Sequence, residues 1–150
     1  MDYYIKSATE TDIDFLLSLR ISTMEVYLAE MGIPIDQEFH LDRIRYKFES
    51  ARIIVVDSQR IGLLKYFANE ENYELIQMQI SPQWQNRGYG AKLIEVVLKE
   101  ARKADKPVIL SVLKSNPAKG LYTRLGFCVI AETEQEFKMK LEPNNQPNNQ

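Results

Sequence analysis

Gly88 and Gly90 stand two residues apart behind Arg87, where a strand-like run gives way to a helix-like one. The stretch reads Met78-Gln79-Ile80-Ser81-Pro82-Gln83-Trp84-Gln85-Asn86-Arg87-Gly88-Tyr89-Gly90. Pro82 forces an extended exit from the strand. Glycines let the backbone beyond it curl until successive N–H groups converge. The helix start adds partial positive charge and Arg87 a full one, which together suit an anionic phosphate. A Rossmann fingerprint would need a third glycine where Leu93 stands, and a P-loop would need Gly-Lys-Ser/Thr in place of Gly90-Ala91-Lys92-Leu93. A glycine-bearing helix entry without any ligand satisfies the same residues.

Other reactive side chains are sparse. One histidine, His40, and one cysteine, Cys128, make neither a zinc cluster nor an intramolecular disulfide. His40 reads as a surface residue. Cys128 follows Gly126-Phe127 into a strand and reads as a buried structural thiol. Trp84 reads as a packing anchor for the loop.

The elements that must position these residues follow from periodicity. Tyr3 to Ala8 is a first strand, and Thr9-Glu10-Thr11-Asp12 has the Ser/Thr-x-x-acid form of a helix start. Ile13, Leu16, Leu17, Ile21, Met24 and Leu28 then recur at helical spacing until Gly32 and Pro34. A second helix is expected from about Asp36 to Phe48, burying Phe39, Ile44 and Phe48. Arg52 to Val56 and Ile61 to Phe67 form a hairpin about Asp57-Ser58-Gln59-Arg60. Asn69 to Asn72 turns into a fourth strand, Tyr73 to Ile80. Gly88 to Ala104 is a helix with Leu93, Ile94, Val97, Leu98 and Ala101 on one face. Val108 to Leu113 is a strand, Pro117 to Leu125 a helix, and Phe127 to Ile130 with Glu136 to Leu141 a closing strand pair. The order is β-α-α-β-β-β-α-β-α-β-β. Tight turns favour antiparallel neighbours early and the later β-α-β crossover a parallel pair, in an α/β fold with helices on both faces of a mixed sheet.

With that order in place, Gln85-x-x-Gly88-x-Gly90, led by Ile80-x-Pro82, resembles the acetyl-CoA pyrophosphate motif of GNAT-superfamily N-acetyltransferases. Asn116-Pro117-Ala118-Lys119-Gly120-Leu121-Tyr122-Thr123-Arg124-Leu125-Gly126-Phe127 resembles that superfamily's second motif. The resemblance covers nearly all of residues 3 to 141. It implies a mostly antiparallel six- to seven-stranded sheet, splayed into a V after the fourth strand. It implies acetyl-CoA as the cofactor, with the backbone of Met78, Gln79 and Ile80 along the pantetheine arm. Gln85, Asn86, Arg87, Gly88, Tyr89, Gly90 and Ala91 would hold the pyrophosphate, and Asn116 would also contact the cofactor. Asn116 precedes Tyr122 by six residues where many members show seven.

Transfer of an acetyl group to an amine needs a neutral nucleophile, a stabilised oxyanion and a proton for the leaving thiolate. Tyr122 matches the superfamily's tyrosine, and its phenol stays protonated at neutral pH. For the base, Glu74 stands early on the fourth strand, on the face of Ile76, Met78 and Ile80 by period-two alternation. A strand-end glutamate turned to water, with a water relay as the base, fits the same sequence. Tyr27 and Glu30, with Phe39 and His40, are candidates for the acceptor side. The implied activity is direct attack of a primary amine on acetyl-CoA in a ternary complex. The alternative is a non-catalytic acyl-CoA-binding sensor or regulatory module.

Composition sets the outer bounds. At 150 residues, with 45% apolar and 27% charged content, the chain suits one globular domain. That domain is expected over residues 1–142, with a disordered polar tail over 143–150. A net charge of −2 without any basic block argues against nucleic acid as partner. No apolar run is long enough for a bilayer and no signal-type segment opens the chain, so no membrane partner and a cytoplasmic location are expected. The resemblance implies a small-molecule amine or a peptide or protein amine as acceptor; no metal is expected, and monomer and homodimer fit equally.

Overall fold

The computed structural model describes residues 3–144. Residues 145–150 of the expected tail lie outside the described residues. The elements are β1 (Tyr4–Ser7), α1 (Ile13–Glu30), α2 (Gln37–Arg45), β2 (Ala51–Val56), β3 (Gln59–Ala68), β4 (Tyr73–Ile80), α3 (Tyr89–Ala104), β5 (Val108–Leu113), α4 (Ala118–Arg124), β6 (Cys128–Glu132) and β7 (Glu136–Leu141). This is the order expected from the sequence. The seven strands are ordered β1-β2-β3-β4-β5-β7-β6. β4 and β5 run parallel, while β1/β2, β2/β3, β5/β7 and β6/β7 are antiparallel. Among the described residues no helix is long and apolar enough to cross a membrane.

The chain divides into two compact units, the first comprising residues up to Lys65 together with Gln77–Gly90. Its core is Leu16, Leu19, Ile44, Ala51, Ile53, Val55 and Leu63, flanked by Phe15, Leu41 and Phe48. The β2–β3 hairpin turns on Asp57 and Ser58, both with positive φ (49° and 63°), the type I′ geometry whose twist matches its strands. α1 ends in a Schellman arrangement: Ile33 N–H donates to Leu28 O at 3.0 Å and Gly32 N–H to Ala29 O at 3.0 Å. Gly32 supplies the left-handed φ of 71° that this closure needs.

Two differences from the periodicity reading matter for function. In α1 the buried residues are Leu16, Leu19, Arg20 and Leu28, whereas Ile21 is exposed. The inward stripe runs through a charged residue, so apolar spacing alone rotated it. α2 is shorter than expected. Asp36 caps it, accepting from Phe39 N–H at 3.3 Å, and the chain turns away at Lys47, where φ is 54°. Fully buried Lys65 stops it there, donating to the carbonyls of Arg43 (3.2 Å), Ile44 (3.0 Å) and Tyr46 (2.6 Å). These are orphan acceptors of a helix end, and a cation is the favoured partner for that dipole. Burial, then the charge of Arg43 and of Arg20, pushes the ammonium's pKa down to about 8.

The second unit comprises Tyr66–Ile76 and residues from Ala91 onward. β5 pairs with the start of β4 (Tyr73↔Val108, Glu74↔Ile109, Leu75↔Leu110) and along its whole length with β7. Leu93, Ile94, Val97, Leu98 and Ala101 of α3 are all buried, as their spacing requires. β6 closes the sheet as an edge, with every residue exposed. Cys128 is therefore an exposed thiol, which corrects the expectation of a buried one. Gly126-Phe127 does lead into a strand, but that strand has a neighbour on one side only.

Asp12 organises the start of the first unit. Its carboxylate accepts from Thr9 N–H at 2.9 Å, from Lys6 Nζ at 3.1 Å and from Arg60 Nη1 at 3.1 Å, with its side chain 2% exposed. Burial by itself would raise its pKa; the Thr9 N–H, Lys6 and Arg60 outweigh it and hold the carboxyl below its ordinary value. A depressed carboxyl contributes stability that is complete above the unfolded pKa, about 3.9, and is lost as pH falls through the folded value. Asp12→Asn should cost about 1–3 kcal/mol in urea unfolding at pH 7. The gap between wild type and variant should close below about pH 4; a gap that persists there would contradict this account.

Candidate functional site

The strand-to-helix loop is held by its own residues. Ser81 is extended (ψ 141°), Pro82–Trp84 forms a 3-10 turn, and Gln85 Nε2 reaches back to donate to Ile80 O at 2.9 Å. Asn86 (φ 62°) and Gly88 (φ 86°) are both left-handed, and α3 begins at Tyr89. Asparagine tolerates that region and glycine adopts it without cost. The Arg87 guanidinium lies 4.7 Å over the Trp84 ring, and Trp84 meets buried Tyr89 edge-on at 6.0 Å. Trp84 thus anchors the loop as expected. Gln85 to Gly88 are exposed. The first N–H groups of α3 have no acceptor within the helix. With Arg87 beside them, these donors present a surface for a phosphate-type anion.

β4 leads into this loop. Leu75, Gln77 and Gln79 are buried, while Glu74, Ile76 and Met78 are half-buried along the alternate face and Ile80 is buried at the end. Glu74 therefore shares its face with Ile76 and Met78, as alternation predicted. Gln77 and Gln79 were not singled out by their types, yet each keeps a sealed Oε1 without a hydrogen-bond partner. Gly62 of β3 matters here, because a Cβ on it would lie 2.6 Å from Gln79 O. Only glycine lets β3 approach the β4 backbone so closely.

In the second unit, Asn116 Oδ1 accepts from Ala118 N–H at 2.9 Å and so starts α4. Tyr122 of α4 is buried and meets Phe127 edge-on at 5.8 Å. Burial pushes its phenol up to about 12, so the group stays protonated throughout the neutral range. The hydroxyl has no hydrogen bond to a described residue and is not sealed from solvent.

On α1 and α2, Tyr27 is half-buried, Glu30 exposed and Phe39 half-buried. His40 is 1% exposed, which corrects its reading as a surface residue. Its Nδ1 accepts from Arg20 Nε at 2.9 Å, and its Nε2 lies 3.2 Å from Glu25 Oε2. These contacts give a histidine an inward position that polarity alone would not suggest. The structure gathers His40 with Arg20 and Glu25, neither of which the sequence reading named. The available signal was position: Arg20 follows Leu16 by four residues and precedes Leu28 by eight.

A family model described as acetyltransferase (GNAT) domain matches residues 49–129, more than half of the chain. A search of curated proteins finds no match. Among solved structures, the PaiA N-acetyltransferase of Thermoplasma acidophilum, in complex with coenzyme A, is similar at 19% identity and a TM-score of 0.74, over 95% of this chain and 99% of that one. Ard1 of Thermoplasma volcanium gives 16% identity and 0.72, over 95% and 98%. The ribosomal-protein-S18-alanine N-acetyltransferase of Escherichia coli gives 17% and 0.70, over 99% of both chains. At these identities the structures establish a common fold. The strand order, the glycine loop opening α3 and the matched family model make the chain a member of the GNAT acetyltransferase family.

Proposed function

We propose that this chain transfers an acetyl group from acetyl-CoA to a primary amine by direct attack of the amine in a ternary complex. The observation that carries the reading is the loop of residues 85–90, with two left-handed residues, a helix start and an exposed arginine in sequence. Those features fit a pyrophosphate, which accepts several N–H donors and a guanidinium at once. Acetyl-CoA supplies the activated acyl thioester. The β4 backbone at Met78, Gln79 and Ile80 is assigned to its pantetheine arm, and Asn116 to a further cofactor contact. A coenzyme A complex of a same-fold N-acetyltransferase supports the donor half of this reading.

Tyr122 is assigned the proton donated to the departing sulfur. A phenol with a pKa of about 12 does not act as a base at neutral pH, and its hydroxyl has no competing acceptor among the described residues. Glu74, half-buried on β4 opposite Ile109, is assigned the proton lost by the amine. Tyr27 and Glu30 are assigned to the acceptor side, on the last turns of α1.

Thiol release from acetyl-CoA across a panel of amines and peptides tests the activity. Tyr122→Phe should lower kcat by about 100-fold or more, the usual contribution of a positioned acid, with the Kd for CoA unchanged. Equal turnover would remove Tyr122 from the mechanism. Glu74→Gln should flatten the rise of kcat/KM with pH, and an unchanged profile would assign that proton to water.

A further inference from the structure

Among the described residues four side chains of the acidic and basic types are buried: Asp12, Arg20, His40 and Lys65. Three are fully engaged. Asp12 holds two cations and a backbone N–H, Lys65 donates to three carbonyls, and His40 sits between Arg20 and Glu25. Arg20 differs. It is 5% exposed, yet among the described residues its one hydrogen bond runs from Nε to His40 Nδ1 and no carboxylate pairs with it. Its guanidinium also lies 5.9 Å over the Phe39 ring. Neither Nη nitrogen has an acceptor among the described residues, and neither is among the sealed polar atoms that lack a partner.

The charges around it make that state costly. Arg43, half-buried on α2 and 4.9 Å over the Tyr46 ring, has no carboxylate partner among the described residues either, and Arg20 and Arg43 repel each other. Lys65 adds a third positive charge in the same neighbourhood. Of the nearby carboxylates, Glu25 is turned to His40, and Glu49 acts on Lys65. A buried guanidinium without an anion is strongly disfavoured. With Nε committed to His40, the end-on pair of Nη groups remains. Two parallel N–H donors from a planar fork match the two oxygens of a carboxylate.

We propose that Arg20, assisted by Arg43, binds a carboxylate of the acceptor, so that the amine acetylated belongs to a carboxylate-bearing molecule, a free amino acid or a peptide. This rests on the acetyl-transfer reading for the identity of the ligand as acceptor; the carboxylate site itself does not. Arg20 confers specificity here, because an amine without the carboxylate leaves a buried cation unpaired.

Isothermal titration with acetylated end products isolates binding from chemistry. The probes are the N-acetyl derivatives of glycine, alanine, glutamate and alanyl-alanine, each beside its C-terminal amide. In the wild-type protein at least one acid should bind roughly 10- to 100-fold tighter than its amide, the range of a charged hydrogen-bonded contact. Arg20→Gln should abolish that preference, and Arg43→Gln should weaken it. If Arg20→Gln fails to fold by thermal melting, Arg43→Gln and the wild-type acid-to-amide ratio still decide. Amides binding as well as acids, no acid binding, or inorganic phosphate binding more tightly than every acid would overturn the proposal. Preference for single amino acids over alanyl-alanine identifies the free molecule as source, and the reverse identifies a peptide. Titration of CoA on the same protein separates the two readings. Acid binding without CoA binding overturns acetyl transfer alone, and CoA binding without acid binding overturns the carboxylate site alone.

Discussion

The hydrogen bond from Gln85 Nε2 to Ile80 O closes the end of β4 onto the loop that follows it. It satisfies the last carbonyl of the strand and leaves residues 86–88 to reverse direction within one turn. Two left-handed residues make that reversal possible, and α3 then starts at Tyr89 with its dipole directed at the loop. Trp84 and Tyr89 pack the turn, so Arg87 lies over an aromatic face. The loop's N–H groups and guanidinium are thereby held in place by the protein's own contacts.

Much of this was legible because the loop is local. Glycines and a proline act through their own backbone neighbours, and their spacing in the sequence is their spacing in space; Gln85, expected only at the pyrophosphate, proves to donate to Ile80 O. The strands and α3 were legible for the same reason, since alternation and a wide apolar stripe reflect burial directly. Tyr122 was found through its motif; its deep burial and raised pKa emerge only from the packed structure.

What the sequence concealed is polar and buried. Arg20, His40 and Lys65 look like solvent-facing residues by type, and each is inside through a partner far along the chain. Lys65 is inside because a helix end offers it three carbonyls, which also explains why α2 stops at Arg45. His40 is inside because Arg20 and Glu25 satisfy both ring nitrogens. Cys128 erred in the opposite direction, since edge-strand status depends on a neighbour that never comes. Pairings at such separations leave no periodic trace. They concentrate in α1, α2 and their surroundings, whereas the donor-side motif is continuous in sequence.

The central claim is that the loop of residues 85–90 is a pyrophosphate seat. Calorimetric titration of pantetheine, 4′-phosphopantetheine and CoA against the unmodified protein tests it most directly. The account predicts affinity rising along that series, with CoA at least about 100-fold tighter than pantetheine, as two or more charge-assisted hydrogen bonds require. Equal affinity for CoA and pantetheine would contradict it.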